Sequence, residues 1–152
     1  DNNNNNIEKW LKIDKFLDEE LNRNVKEYVK ILQNKINVIE ENSDRKYKIL
    51  SANNVSTKEF MIQRYLKGKG RYIYHNDSRI DWNEKKYRVI TYIFYLNTVE
   101  EGGETEFFNE LRIKPEAGKL VLFPASWLWP HRGMIPKSSN KYIITGWLYV
   151  HE

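Results

Sequence analysis

Two hydrophobic periods divide this chain. Over its first third, Val25, Tyr28, Val29, Leu32, Ile36 and Ile39 recur three and four residues apart, and Phe16, Leu17 and Leu21 carry the pattern upstream. That spacing gathers them on one face of a helix. Lys26, Lys30, Gln33, Asn34 and Lys35 fall mostly off that face. Asp14 offers an entry cap, and Asn42-Ser43-Asp44 offers a stop. The character then changes. Blocks rich in Ile, Val, Tyr, Phe and Thr follow one another at 60–66, 71–76, 87–96, 111–114, 119–123 and 141–150, which is strand composition. Gly68, Gly70, Gly102-Gly103, Pro115 with Gly118, and Ser138-Ser139-Asn140 stand between them as turn material. Ser56-Thr57-Lys58-Glu59 has the form of a helix capping box. Ile62 and Tyr65 do not continue a helical period there, so a strand is favoured.

The pattern predicts a mainly β protein with an N-terminal helix (α+β). Its core is a sandwich or jelly roll of antiparallel strands, and the helix is expected to buttress a sheet. With 152 residues and no internal repeat, one domain is expected over 7–152. The helical part is placed at 7–45 and the sheet core at about 58–150. Asn2–Asn6 is a polar tract that cannot pack a core, and a disordered lead-in is expected at 1–6.

Composition narrows the chemistry. There is no cysteine, which excludes disulfides, thiolate nucleophiles, iron–sulfur clusters and cysteine-ligated zinc. The net charge of +4 and the pI near 9.1 permit an acidic partner. The cations are scattered without a long basic run, so nucleic acid is not implied. No apolar stretch approaches a membrane span. The chain opens at Asp1 rather than Met, which leaves the natural N-terminus open. A reducing cytoplasm is the expected compartment. The load of Lys, Asn and Ile suits an AT-rich genome, such as a viral or protozoan one. Oligomeric state is not readable.

Only three histidines occur, His75, His131 and His151. His75-Asn76-Asp77, with His131 far downstream, is the ligand order of a two-histidine, one-carboxylate iron site. Residues two apart on a strand point the same way, so His75 and Asp77 share a face. His131 is then expected from a strand on the facing sheet. His151, beside the end of the chain, reads as a surface residue. Taken alone, His-x-Asp occurs often as surface polar chemistry. The surrounding text decides.

From Tyr65 to Trp147 the chain resembles the Fe(II)/2-oxoglutarate-dependent dioxygenases, in their prolyl 4-hydroxylase-like branch. "QRYLKGKGRYIYHND" resembles that branch's strand, glycine turn and His-x-Asp. "YRVITYIFYLNTVEEGGETEFF" resembles its long strand and Gly-Gly-Glu-Thr step, and "IKPEAGKLVLFPA" its Pro-x-x-Gly turn. "HRGMIPKSSNKYIITGWL" resembles its close, a histidine followed by a basic residue and then a tryptophan. The first 50 residues carry no part of the resemblance.

The resemblance implies a double-stranded β-helix (jelly roll) with His75, Asp77 and His131 as iron ligands. It implies that Lys141 pairs with the far carboxylate of 2-oxoglutarate, which a buried dicarboxylate requires. Thr91 and Tyr65 match positions that often hydrogen-bond this cosubstrate, and either reads equally as a packed strand residue. Trp147 matches an aromatic near the site or fills the core. The implied cofactors are Fe(II), 2-oxoglutarate as cosubstrate and O2, with ascorbate in support. The implied activity is oxidative decarboxylation of 2-oxoglutarate to succinate and CO2, coupled to hydroxylation of a C–H bond. A prolyl or other residue of a peptide or protein is the leading substrate. A free amino acid, a small metabolite or an alkylated base is the alternative, and an inactive jelly-roll binding module is the reading from another class. Related halogenases lack the carboxylate, so Asp77 favours hydroxylation. Gly133 departs from the Val that many prolyl hydroxylases carry two places after the distal histidine. Trp127 and Trp129 flank His131 and line either a substrate groove or the core. The stretch 78–86, with Trp82, stands where a lid would be.

Overall fold

The computed structural model describes residues 2–39, 50–51 and 54–151. By its contacts the chain divides into two compact units, Asp1–Val55 and Ser56–Glu152. The division falls between the expected helical part and the expected sheet core.

The first unit contains one helix, α1 (Asn2–Ile39). Leu17, Leu21 and Val25, four apart, are its buried positions, as the apolar period requires. Phe16, expected on the same side, is exposed. Exposed pairs such as Lys15–Glu19 and Lys30–Glu27 run along the surface at 3.9 and 3.8 Å, each contributing a few tenths of a kcal/mol at most. The helix also takes in the Asn2–Asn6 tract, for which disorder was expected. Adding a residue to an existing helix is far easier than starting one, so a polar tract can extend it without a core of its own. The expected stop at Asn42-Ser43-Asp44 lies outside the described residues.

The second unit consists of two antiparallel sheets. The larger contains β1 (Val55–Thr57), β2 (Met61–Tyr65), β4 (Ile80–Asp81), β5 (Lys86–Tyr95), β8 (Leu120–Pro124) and β10 (Lys141–His151). Its path runs β1-β10-β5-β4, with β2 also on β10 and β8 also on β5. The smaller contains β3 (Tyr72–His75), β6 (Thr105–Phe107), β7 (Leu111–Ile113) and β9 (His131–Gly133), in the order β3-β9-β6-β7. Residues 55–57 form a strand, so Ser56–Glu59 does not act as a helix cap. Six strands lie where the composition placed them. The pattern missed β1, β4, β6 and β9, none longer than three residues.

Tyr65, Ile93, Tyr95, Phe107, Phe123 and Ile143 form the core, drawn from both sheets. Trp129 packs against it, on Phe107 and Phe108, whereas Trp127 is exposed. On the other side of β5, Tyr92 is buried opposite Gly146 of β10. A Cβ at Gly146 would fall 2.1 Å from the Tyr92 hydroxyl, so only glycine admits this pairing. Among the described residues no helix is long and apolar enough to cross a membrane.

The stretch 78–86 is a tight hairpin rather than an open loop. Ile80 and Asp81 pair with Tyr87 and Lys86. The Asp81 carboxylate accepts the Asn83 and Glu84 backbone N–H groups, both at 3.1 Å. Glu84 bridges Lys58 and Lys86 at 2.8 and 2.7 Å. Trp82 at its tip is exposed.

Candidate metal centre

The smaller sheet brings the two distant histidines together. His75 ends β3, His131 opens β9, and the two are directly paired across the ladder. The expectation that they come from facing sheets is therefore corrected: they sit on adjacent strands of one sheet. Their rings lie 4.3 Å apart between centroids, and the Tyr72 ring packs tilted against His75 at 4.4 Å. Asp77 follows just past the strand, where Asn76 turns the chain by accepting the Ser78 N–H at 3.2 Å. One Asp77 oxygen lies 3.6 Å from His75 Nε2, and the other lies 3.5 Å from His131 Nε2.

Each ring nitrogen on the far side is tied down. His75 Nδ1 lies 2.9 Å from the Ile73 carbonyl, and His131 Nδ1 lies 3.0 Å from the Trp129 carbonyl. A carbonyl oxygen can only accept, so Nδ1 donates, and in the neutral imidazole Nε2 is then the nitrogen with the free lone pair. Both lone pairs and the carboxylate then converge within 4.8 Å. Burial pushes the His131 pKa down, against the pull of the Trp129 carbonyl and of Asp77, which favours the neutral imidazole a metal needs. Two neutral imidazoles and one carboxylate are a donor set for Fe(II). The ring of His131 rests on Phe107 and Phe123, so it has little room to turn.

Thr91 of β5 reaches across from the larger sheet. Its hydroxyl donates to Asp77 Oδ2 at 2.7 Å, so in this structure it orients the carboxylate. Tyr65 of β2 donates to Gln63 Oε1 at 3.0 Å, and burial pushes its phenol up to about 12.

Lys141 is 1% exposed, an unusual place for an ammonium group. Its Nζ donates to the Gly103 carbonyl at 2.8 Å and sits 4.1 Å from the centre of the Tyr65 ring. Burial lowers its pKa to about 8, while Glu104 pulls it back up. A cavity of about 470 Å³ joins Lys141 to the histidines and Asp77, within the usual range for small-molecule sites. Gly102 and Gly103 have φ of 71° and 79°, the positive values expected of them from the sequence. They deliver the carbonyl that Lys141 uses.

Two residues on the cavity wall were given no role from the sequence. Arg88 lines it with its guanidinium 3.3 Å from the Trp147 ring centre. Gln63 lines it as the partner of the Tyr65 hydroxyl. Gln63 faces the cavity by alternation from Tyr65, whereas Arg88, three residues before Thr91, reaches the same face through the register shift between β5 and β10 at Leu148/Tyr149.

Residues 60–149 match the 2OG-Fe(II) oxygenase superfamily, and the chain belongs to that family, whose members take Fe(II), 2-oxoglutarate and O2. The matched span contains all six residues singled out from the sequence. Among curated relatives, the probable prolyl 4-hydroxylase 10 of Arabidopsis thaliana is 36% identical over 92 residues, taking in 43% of this chain and 32% of the relative. The match thus spans about a third of that relative's length. The viral collagen prolyl hydroxylase vCPH of Paramecium Bursaria Chlorella virus-1, solved with 2OG, superposes with a TM-score of 0.61. It is 22% identical over 89% of this chain and 73% of its own. A prolyl hydroxylase from Trichoplax adhaerens, solved with a hypoxia inducible factor peptide, gives 0.52 at 26% identity over 62% and 44%. The two sheets are the jelly roll of this family.

Proposed function

We propose that this chain is a prolyl hydroxylase-like 2-oxoglutarate oxygenase. His75 Nε2, His131 Nε2 and the Asp77 carboxylate would hold Fe(II). Lys141 would pair with the far carboxylate of 2-oxoglutarate. One observation carries the reading: a buried ammonium and a converged two-histidine, one-carboxylate set share a single cavity. A cation in that position calls for an anion, and a dicarboxylate long enough to reach the metal answers both ends.

Bound Fe(II) with 2-oxoglutarate and O2 would supply the oxidation of a C–H bond to C–OH, with succinate and CO2 as co-products. The chain's own residues do the rest. The Ile73 and Trp129 carbonyls hold the histidine tautomers. Thr91 fixes the carboxylate. Phe107 and Phe123 keep water from the buried side of His131. His75 stands at the open side, with 29% of its side chain exposed, so substrate would approach past it. The relatives named as prolyl hydroxylases favour a prolyl residue of a peptide or protein as that substrate.

The test is incubation with Fe(II), 2-oxoglutarate and ascorbate against a panel of proline-containing peptides. Succinate should form together with peptide that has gained one oxygen atom, and His131→Ala should abolish both. Intact metal binding without succinate across a broad panel would overturn the reading.

A further inference from the structure

On the face of the smaller sheet away from the histidines lies a carboxylate the reaction does not use. Glu106, in the middle of β6, is fully buried. One of its oxygens accepts the Tyr74 hydroxyl at 2.7 Å and Arg132 Nη2 at 2.6 Å. The other accepts Arg112 Nε at 2.7 Å. Tyr74 is on β3, Arg132 on β9 and Arg112 on β7. One side chain therefore touches all the other strands of its sheet.

Two of those partners have special neighbours. Tyr74 immediately precedes His75, and Arg132 immediately follows His131. Side chains alternate across a strand, so the neighbours of inward histidines point outward. Glu106 thus grips, from behind, the residues adjoining both histidines. The grip is reinforced: the Arg132 guanidinium lies 4.9 Å over the Tyr74 ring. The Tyr74 hydroxyl also accepts the Asn109 N–H at 2.8 Å. That bond anchors a turn in which Phe108 and Asn109 have φ of 57° and 62°.

Stability alone does not account for this arrangement. With 53% of the Arg112 side chain and 35% of that of Arg132 exposed, the cluster reaches solvent, and such ion pairs add little to stability. What it supplies is register. β9 has three residues and β3 has four, and their pairing is irregular between Tyr72 and His75. So short a ladder defines its alignment weakly, and a slip of one residue would turn a histidine to the wrong face. We propose that Glu106 is a positioning residue for both metal-site histidines, holding β3 and β9 in the one register that brings the two Nε2 atoms together. This rests on the reading of His75 and His131 as ligands.

The experiment uses the full chain freed of metal and titrated with Co(II), read by visible absorption and by competition with a chelator. Thermal melting is followed in parallel. Wild type should bind. Glu106→Gln should weaken Co(II) binding about tenfold or more and shift the absorption band. Arg112→Gln breaks a bond to the same carboxylate from β7, the outer strand, which carries no histidine. It should lower the melting temperature yet leave Co(II) affinity within about twofold. Should Glu106→Gln fail to fold, Tyr74→Phe removes a single hydroxyl and should still weaken binding several-fold. Unchanged affinity in Glu106→Gln, or in Tyr74→Phe where that variant replaces it, overturns the proposal. So does an equal loss in Arg112→Gln, which would mark a general structural role. A wild type that binds no Co(II) would instead remove the ligand reading, and this inference with it.

Discussion

Lys141 and Tyr65 are paired across the β2–β10 ladder, and the ammonium sits 4.1 Å from the centre of the tyrosine ring. The ring offers its negative face to a cation that has left water. With the Gly103 carbonyl it satisfies part of the ammonium's demand, and the remaining donors are available to the cavity. The pKa of about 8, against an ordinary 10.5, makes the site pH-sensitive near neutrality. A dicarboxylate binds the protonated form. Its affinity should therefore hold below about pH 8 and fall as pH rises through it. Without ligand, the unfolded chain holds this proton over pH 8–10.5 and the folded chain does not, so the contribution to stability rises with pH there. Titration of the Co(II)-loaded protein with 2-oxoglutarate between about pH 7 and 9 checks the first point. Lys141→Met should bind weakly at every pH and lose the slope.

Thr91 and Asp77 come from different sheets, and their 2.7 Å hydrogen bond is buried. Thr91→Val keeps the shape and removes the donor. Stability should fall by about 1 kcal/mol, the net worth of such a bond. Metal affinity should fall further in proportion, by roughly tenfold, because the carboxylate is then free to turn. Chemical denaturation and Co(II) competition on the same sample separate the two effects. Unchanged Co(II) affinity would show that Asp77 is held without Thr91.

Long strands were legible because their runs of β-branched and aromatic residues are long enough to stand out. β5 and β10, with ten and eleven residues, could hardly be missed. β6 and β9 are three residues each, too short for such a run, and His131-Arg132-Gly133 has no strand former. That is why His131 was expected on the facing sheet, although it was already grouped with His75 in one candidate site. The grouping of His75, Asp77 and His131 was legible from residue order only together with the family resemblance of the surrounding text. The Thr91–Asp77 bond was not, because it depends on how the sheets stack rather than on spacing. Glu106 was the least legible of all. A glutamate among aromatics in "ETEFF" reads as a solvated position, and only the strand order β3-β9-β6-β7 brings two arginines and a tyrosine to it.

Phe107 ties the core to the site. It packs edge-on to Phe123 at 4.9 Å and lies 5.5 Å from the His131 ring. Phe107→Ala should destabilise the unit by about 3–5 kcal/mol, since a rigid sandwich closes only partly over a lost ring. His131 should also gain rotational freedom, so Co(II) affinity should drop well below wild type at temperatures where the variant is still folded. Phe107→Leu, which keeps most of the volume, should lie between them on both measures.

Gly103 links the backbone to the lysine proposed to hold the cosubstrate. Its φ of 79° is a conformation that side-chain-bearing residues rarely adopt. An added Cβ would also approach Pro136 Cβ to 3.2 Å. Gly103→Ala should therefore destabilise the fold by about 1 kcal/mol or more. Relief of that strain would move the carbonyl that accepts from Lys141, so 2-oxoglutarate affinity should fall while Co(II) affinity, set on β3 and β9, stays near wild type. Isothermal titration with Co(II) first and 2-oxoglutarate second reads both. A variant that loses the two affinities together would show that the turn supports the metal centre as well as the lysine.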